Sequence, residues 1–168
     1  TVNNLSSQYI YTHVLQAVDA YPGQILVYSP KNKISGKREK GYRMNHIGTR
    51  EIATERLTLR RFEIEDAENM FYNWANDPEV TKYLTWPAHE SVDTTETILK
   101  EWISKYDEKD FYQWAIELND LEQPIGTISA IKTDERVESV EIGYCIGKRF
   151  WNNGYMTEAL TAIIRFFI

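Results

Sequence analysis

The residues with the clearest chemical potential lie near the end of the chain, where Glu141 to Leu160 reads Glu-Ile-Gly-Tyr-Cys-Ile-Gly-Lys-Arg-Phe-Trp-Asn-Asn-Gly-Tyr-Met-Thr-Glu-Ala-Leu. A strand pattern runs into a short loop holding Gly154, and a helical pattern opens at once. At such a junction the loop amides and the unpaired N–H groups of the first helical turn converge on one point, which suits a phosphate. Gly154 lets the backbone approach an anion that a Cβ would hold off. Asn152 and Asn153 tolerate unusual turn angles, and Thr157 offers a hydroxyl in the first helical turn. On residue types alone, an ordinary strand-to-helix connection with a glycine turn is the simpler reading. Cys145 raises the question of nucleophilic catalysis, but no histidine is placed to activate it, and cysteine is a common buried strand residue. His13, His46 and His89 are scattered, without metal-ligand spacing.

The elements that must position this junction follow from periodicity. Arg56 to Phe62 alternates, with Leu57 and Leu59 on one face, as a half-buried strand does. Ile64 to Trp74 repeats Ala67, Met70, Phe71 and Trp74 at helical spacing, with Glu65, Asp66 and Glu68 in a first turn that favours anions. Asn76-Asp77-Pro78 breaks that helix. Thr94 to Tyr106 predicts a second helix with Leu99, Trp102, Ile103 and Tyr106 on one face. Phe111 to Glu117, Ile125 to Ile131 and Val140 to Ile146 read as strands, joined by a turn at Leu121–Pro124 and a charged loop at Lys132–Glu138. Tyr155 to Ile168 repeats Met156, Ala159, Leu160, Ile163, Ile164 and Phe167 as a helix. The order β-α-α-β-β-β-α implies an α+β fold built on an antiparallel meander. A last strand leading into a helix calls for a parallel neighbour next, which makes the expected sheet mixed. Trp102 and Trp114 are expected in the core.

The chain has 168 residues, 42% hydrophobic and 26% charged, as an ordinary globular protein has. No apolar run approaches the ~18 residues of a membrane helix, and no basic segment followed by an apolar stretch marks a secretory signal. A single cysteine permits no internal disulfide, so a reducing, cytoplasmic setting is expected. Charge is uneven. Residues 31–43 carry six cations against Glu39, and residues 1–30 carry only Asp19, so a net charge of −6 leaves −10 on residues 44–168. An acidic body favours amine partners and disfavours nucleic acid. Residues 1–43 read as an extension or linker: a short amphipathic helix through Ile10, Val14, Ala17, Val18 and Tyr21, a stop at Pro22-Gly23, a short strand from Ile25 to Tyr28, then a basic tether. Met44 reads as an original start, and residues 44–168 as the domain proper.

The loop segment is similar to the acetyl-CoA motif of GNAT-fold N-acetyltransferases, whose usual form is Gln/Arg-x-x-Gly-x-Gly/Ala. Trp151 and Met156 depart from that form at its first and last positions, while Gly154 keeps it. They match instead the RimJ/RimL-like branch, the ribosomal-protein N-terminal acetyltransferases, in which Trp-x-x-Gly-Tyr-x-Thr-Glu-Ala is typical. Thr54-Glu-Arg-Leu-Thr-Leu-Arg-Arg-Phe62 and Trp74-Ala-Asn-Asp-Pro-Glu-Val80 resemble the opening strand and first helical hairpin of the same branch. The resemblance covers about residues 50–168.

The resemblance implies direct acetyl transfer from acetyl-CoA, as cosubstrate and without a metal, to a primary amine of a protein N-terminus or a small molecule. It implies a carboxylate base, which places Glu141 as the catalytic candidate, although a half-exposed strand carboxylate with no such role fits the position equally. It implies cofactor contacts at the strand end, Tyr144, Cys145 and Ile146, and along the loop and first turn, Trp151, Asn152, Asn153, Gly154, Tyr155, Met156 and Thr157. Tyr83 and Trp86, after the Asn-Asp-Pro break, become candidate walls of the acceptor site. The alternative is a CoA-binding or protein-interaction fragment without turnover. The sequence stops inside an apolar helix, so residues 44–168 alone are expected not to form a stable, active monomer: Ile163, Ile164, Phe167 and Ile168 have no following strand to cover them. A homodimer, a domain swap or residues 1–43 would then complete the sheet, and the basic tether after Pro30 argues against the last.

Overall fold

The computed structural model describes residues 23–28, 45–134 and 139–167. Six strands form one sheet: β1 (Gly23–Tyr28), β2 (Ile52–Ala53), β3 (Leu57–Arg60), β4 (Tyr112–Leu118), β5 (Gln123–Asp134) and β6 (Ser139–Ile146), in the spatial order β1-β6-β5-β4-β3-β2. Every pairing among them is antiparallel. The helices are α1 (Ala67–Met70), α2 (Pro78–Thr81), α3 (Val92–Ser104) and α4 (Tyr155–Phe167). A 3-10 turn at Ile64–Asp66 leads into α1, a π turn at Phe71–Ala75 follows it, and a second 3-10 turn spans Lys148–Phe150.

Alternation along the strands divides the side chains between two cores. One face carries Leu57, Leu59, Trp114, Ile116, Ile128, Ile142 and Ile146, which pack on Met156, Ala159, Leu160, Ile163 and Ile164 of α4. The other carries Ala115 and Cys145, which pack on Phe62, Met70, Trp74, Val80 and Leu99. Each large apolar side chain so enclosed contributes roughly 1.5–3 kcal/mol. The expectation that Ile163 and Ile164 lie uncovered is corrected here: the sheet itself buries them, at 0% and 7% exposure. Ile103, expected on the inner face of α3, is instead exposed. Trp114 is fully buried, and Trp102 lies partly buried against the second core.

Local chemistry sets the helix starts. Ser91 Oγ accepts the Thr94 N–H at 3.2 Å and caps α3. Asp77 Oδ1 accepts the Glu79 N–H at 2.8 Å, with Pro78 in the first turn of α2, so the Asn-Asp-Pro break both ends one helix and opens another. The Lys132–Glu138 loop is shorter than expected, because β5 continues to Asp134, with Lys132 and Thr133 opposite Glu141 and Val140; residues 135–138 lie outside the described ones.

The outer side of β6 differs most from expectation. The neighbour there is β1, antiparallel rather than parallel, with Gly23 opposite Tyr144 and Tyr28 opposite Ser139. The strand expected from Ile25 to Tyr28 thus adds to the sheet from within the N-terminal extension. The expected helix before it and the basic tether after it lie outside the described residues. Adjacent residues of a strand send their N–H groups to opposite sides, so a proline at one of two neighbouring positions must delete a bond to β6. Of Ile25→Pro and Leu26→Pro, one is expected to raise hydrogen exchange in Ser139–Tyr144 by about tenfold and leave β4 unchanged. Unchanged exchange in both variants would mean that β1 does not pair with β6.

Candidate functional site

β6 ends at Ile146, and the chain turns at Gly147 under a packing constraint. A Cβ on Gly147 would overlap the carbonyl oxygen of Asn73 in the π turn. The Asn73 side chain braces the same junction: its Nδ2 donates to the Pro124 carbonyl at 2.7 Å, and its Oδ1 accepts from Arg149 Nη2 at 2.6 Å. Lys148 and Arg149 are therefore presented outward from the turn, both exposed.

Beyond the 3-10 turn the backbone passes through two left-handed residues, Asn152 at φ 61° and Gly154 at φ 79°. Asn153 Nδ2 braces the loop by donating to the carbonyls of Phe150 and Trp151 at 3.1 and 2.9 Å. Trp151 Nε1 donates to the Ile146 carbonyl at 2.8 Å and ties the loop back to the strand end. The Gly154 carbonyl accepts the Glu158 N–H at 3.0 Å, so α4 begins there. The amides of Tyr155 and Met156 consequently have no acceptor inside the helix. Such an arrangement of amides can hold an anionic group.

The cation at this loop is Arg56, a residue of the Thr54–Phe62 segment with no role implied by the family resemblance. The Glu158 carboxylate accepts from Thr54 Oγ1 at 2.6 Å, the Arg56 backbone N–H at 2.8 Å and Arg56 Nε at 2.7 Å. Arg56 Nη1 donates to the Asn153 carbonyl at 2.9 Å, and the guanidinium lies 4.6 Å from the centre of the Tyr155 ring. An exposed ion pair alone contributes ~0–1 kcal/mol; three donors on one partly buried carboxylate form a stronger unit. The sequence signal was present as Thr-Glu-Arg and Thr-Glu-Ala, but nothing in it pairs segments a hundred residues apart.

The other candidates separate by face. Tyr144, Cys145 and Ile146 are buried at 8%, 1% and 2% exposure, with Gly23 of β1 opposite Tyr144 and β5 opposite all three, so their side chains do not face solvent. Burial pushes the Cys145 thiol up to about 12, against a hydrogen bond from Thr127 that lowers it, and a thiol so held is no nucleophile at neutral pH. Glu141 is half-buried and alternates with the side chains facing α4, so it shares its face with Cys145. It lies five residues before Ile146 along the strand, about 17 Å. Trp86 packs against the same second core, while Tyr83 is 46% exposed. Trp86 also lies against the His89 ring, 5.1 Å between centroids. His89 Nδ1 meets Thr95 Oγ1 at 2.8 Å, and desolvation lowers the imidazole below its usual range. The structure thus brings Glu141 and Trp86 to one face of the sheet. Met156 points into the first core and leaves only its backbone at the loop. Among the described residues no cluster of His, Cys, Asp or Glu has the spacing to hold a metal.

Burial raises the Glu158 carboxyl, but the donors from Thr54 and Arg56 outweigh it and hold the group below its ordinary 4.5. A carboxyl lowered in the folded state adds stability above its ordinary value and loses it as pH falls through the folded one. Glu158→Gln is expected to lower the melting temperature by about 2–4 °C near neutral pH. Thermal melts from about pH 7 to about pH 3 should show that gap closing below about pH 4.5. A gap independent of pH would mean that the carboxylate's charge does not stabilise the fold.

Residues 56–168 match the family described as the Acetyltransferase (GNAT) domain. YoaA of Bacillus subtilis (strain 168), an uncharacterised N-acetyltransferase, is 32% identical over 115 residues, or 68% of this chain and 64% of that protein. The chain thus spans less than two thirds of that relative's length. In fold it is similar to RimL, the ribosomal L7/L12 alpha-N-protein acetyltransferase in its apo form, with TM-score 0.57, 18% identity and coverage of 70% of this chain and 64% of that one. It is similar also to the microcin C7 self-immunity acetyltransferase MccE in complex with acetyl-CoA and AMP, with TM-score 0.55, 18% identity and coverage of 67% and 62%. An antiparallel meander that ends in a glycine loop at the start of a helix, within a match over more than half its length, places the chain in the GNAT acetyltransferase family.

Proposed function

We propose that this chain carries the acetyl-CoA-binding part of an N-acetyltransferase that transfers an acetyl group to a primary amine, on a protein N-terminus or a small molecule. The observation that carries the reading is the junction of β6, the left-handed Asn152 and Gly154, and the start of α4, in a chain of this family. Its donor set fits a polyanionic carrier: two helix-start amides without intrahelical acceptors, beside Arg56, with Lys148 and Arg149 exposed on the turn before the loop. Branch membership with the RimJ/RimL-like enzymes rests on Trp151, Gly154, Tyr155, Thr157, Glu158 and Ala159, supported by the fold likeness to RimL. The reading of the cosubstrate is supported by MccE, a fold relative whose structure holds acetyl-CoA.

In this reading the loop from Trp151 to Thr157 holds the phosphates, and the thioester arm extends from the loop toward the face of the sheet that carries Glu141. Glu141 accepts the proton of the incoming ammonium, directly or through water, so that its nitrogen lone pair attacks the thioester carbonyl. A C–N bond forms, the C–S bond breaks, and the extra proton left on the attacking nitrogen passes to the departing thiolate, giving the amide and the free thiol of CoA. Tyr83 and Trp86 line the acceptor side of the same sheet face. The alternative is cofactor binding without turnover.

Two variants test the reading. Valine at position 154 must adopt φ near 79°, a region closed to β-branched residues. Folded Gly154→Val is therefore expected to bind acetyl-CoA at least tenfold more weakly by calorimetry; wild-type affinity would remove the loop from the cofactor site. Glu141→Gln is expected to lower turnover about 10²–10⁴-fold and leave acetyl-CoA affinity within about twofold, scored with acetyl-CoA against a library of amines. A wild-type rate at every pH would remove Glu141 from the mechanism. Binding without turnover on any amine would favour the alternative.

A further inference from the structure

The cofactor loop is attached to the rest of the protein from outside its own segment, through the turn between β2 and β3. That turn is a closed unit. The Thr54 N–H donates to the Leu57 carbonyl at 2.8 Å, and Thr54 Oγ1 accepts the Leu57 N–H at 3.0 Å. Its position is fixed by β3, whose Leu57 and Leu59 are fully buried. From this rigid base the Arg56 side chain spans three parts of the loop and helix start: the carboxylate of Glu158, the carbonyl of Asn153 and the ring of Tyr155. The remaining nitrogen, Nη2, lies 3.4 Å from where a Cβ of Gly154 would sit.

We propose that Arg56 is the positioning residue of the cofactor loop, holding the Asn153–Met156 backbone so that the Tyr155 and Met156 amides face the phosphates of acetyl-CoA. The inference rests on the reading of that loop as the cofactor site. Two physical arguments support it. The loop bends through two left-handed residues and is exposed at Asn152 and Asn153, so its direction needs an external tie. Glu158, in the first turn of the same helix, would also repel an incoming phosphate unless its charge were offset; Arg56 offsets it at 2.7 Å. Lysine cannot substitute fully, because a point charge on a flexible stem cannot meet the carboxylate, the carbonyl and the ring at once.

The test uses the full chain as wild type, Arg56→Gln and Arg56→Lys, with acetyl-CoA and with S-acetylpantetheine, which has the thioester arm but no phosphate. Arg56→Gln is expected to bind acetyl-CoA at least tenfold more weakly and to leave S-acetylpantetheine affinity unchanged, with Arg56→Lys between it and wild type. Hydrogen exchange at the Glu158 amide, which closes the first turn on Gly154, should rise about tenfold in Arg56→Gln without ligand, with β4 and β5 unaffected. Equal losses for both ligands would make Arg56 merely structural and overturn the proposal. So would wild-type exchange at Glu158. If Arg56→Gln does not fold, Arg56→Lys decides: wild-type acetyl-CoA affinity in it overturns the proposal, and a selective loss supports it. If the wild type itself fails to bind acetyl-CoA, the reading of the loop as a cofactor site falls. The exchange result then decides the tie between Arg56 and the loop independently.

Discussion

The close approach of two backbones, at Asn73 and Gly147, is the constraint from which the rest of the architecture follows. Only a residue without a Cβ lets the π turn sit against the end of β6. That contact brings Trp74 and Met70 onto Cys145 and closes the second core. It also fixes where β6 stops and where the loop departs. The π turn is what delivers the Asn73 carbonyl, since its widened pitch, with Asn76 N–H bonded to the Phe71 carbonyl at 3.1 Å, turns the backbone toward the sheet. The arrangement carries a cost: the indole N–H of Trp74 is buried with no partner among the described residues, a penalty of about 1–3 kcal/mol.

β6 serves both cores, and this decides which of its atoms can do chemistry. Val140, Ile142, Tyr144 and Ile146 are committed to α4, and Cys145 to the opposite helices. Glu141 is the titratable side chain of the strand that keeps partial exposure, and it does so where β5 bulges between Ala130 and Lys132. A strand buried on two faces and paired along both edges has only its ends to offer a ligand. The loop at one end of β6 and the half-buried Glu141 near the other are what that burial leaves.

Much of this was legible in the residues, for physical reasons that differ by element. Leu57 and Leu59, and the spacing from Met156 to Ile164, announce β3 and α4 because burial on one face imposes a period. Asn152 and Gly154 announce left-handed backbone because few residues accept it. The π turn left no trace, since one extra residue in a helix changes no composition. β5 was read too short because Lys132 and Thr133 look like a loop, although a strand partly open to solvent carries such residues without penalty. Ile163 and Ile164 were read as uncovered because a following strand was expected to shield them, whereas the sheet already present does so. The joining of Arg56 to Glu158 was illegible in principle: each belongs to its own local pattern, and their meeting is a property of the closed sheet.

The pairing of β1 with β6 has a consequence for how the molecule is made. Tyr28 and Ser139 face each other across more than a hundred residues of intervening chain, whereas β4, β5 and β6 follow one another through short turns. At synthesis rates of ~5–20 residues per second, β1 leaves the ribosome roughly 5–20 seconds before its partner exists. The meander can close on itself meanwhile, because its contacts are local and carry little loop-closure entropy. Of the six strands, β1 is therefore made before the others and is the last to find its place. Through that interval the edge it will cover and its own unpaired backbone are both open to other chains, so the newly made protein depends on neighbours being dilute or on a chaperone reaching β1 first.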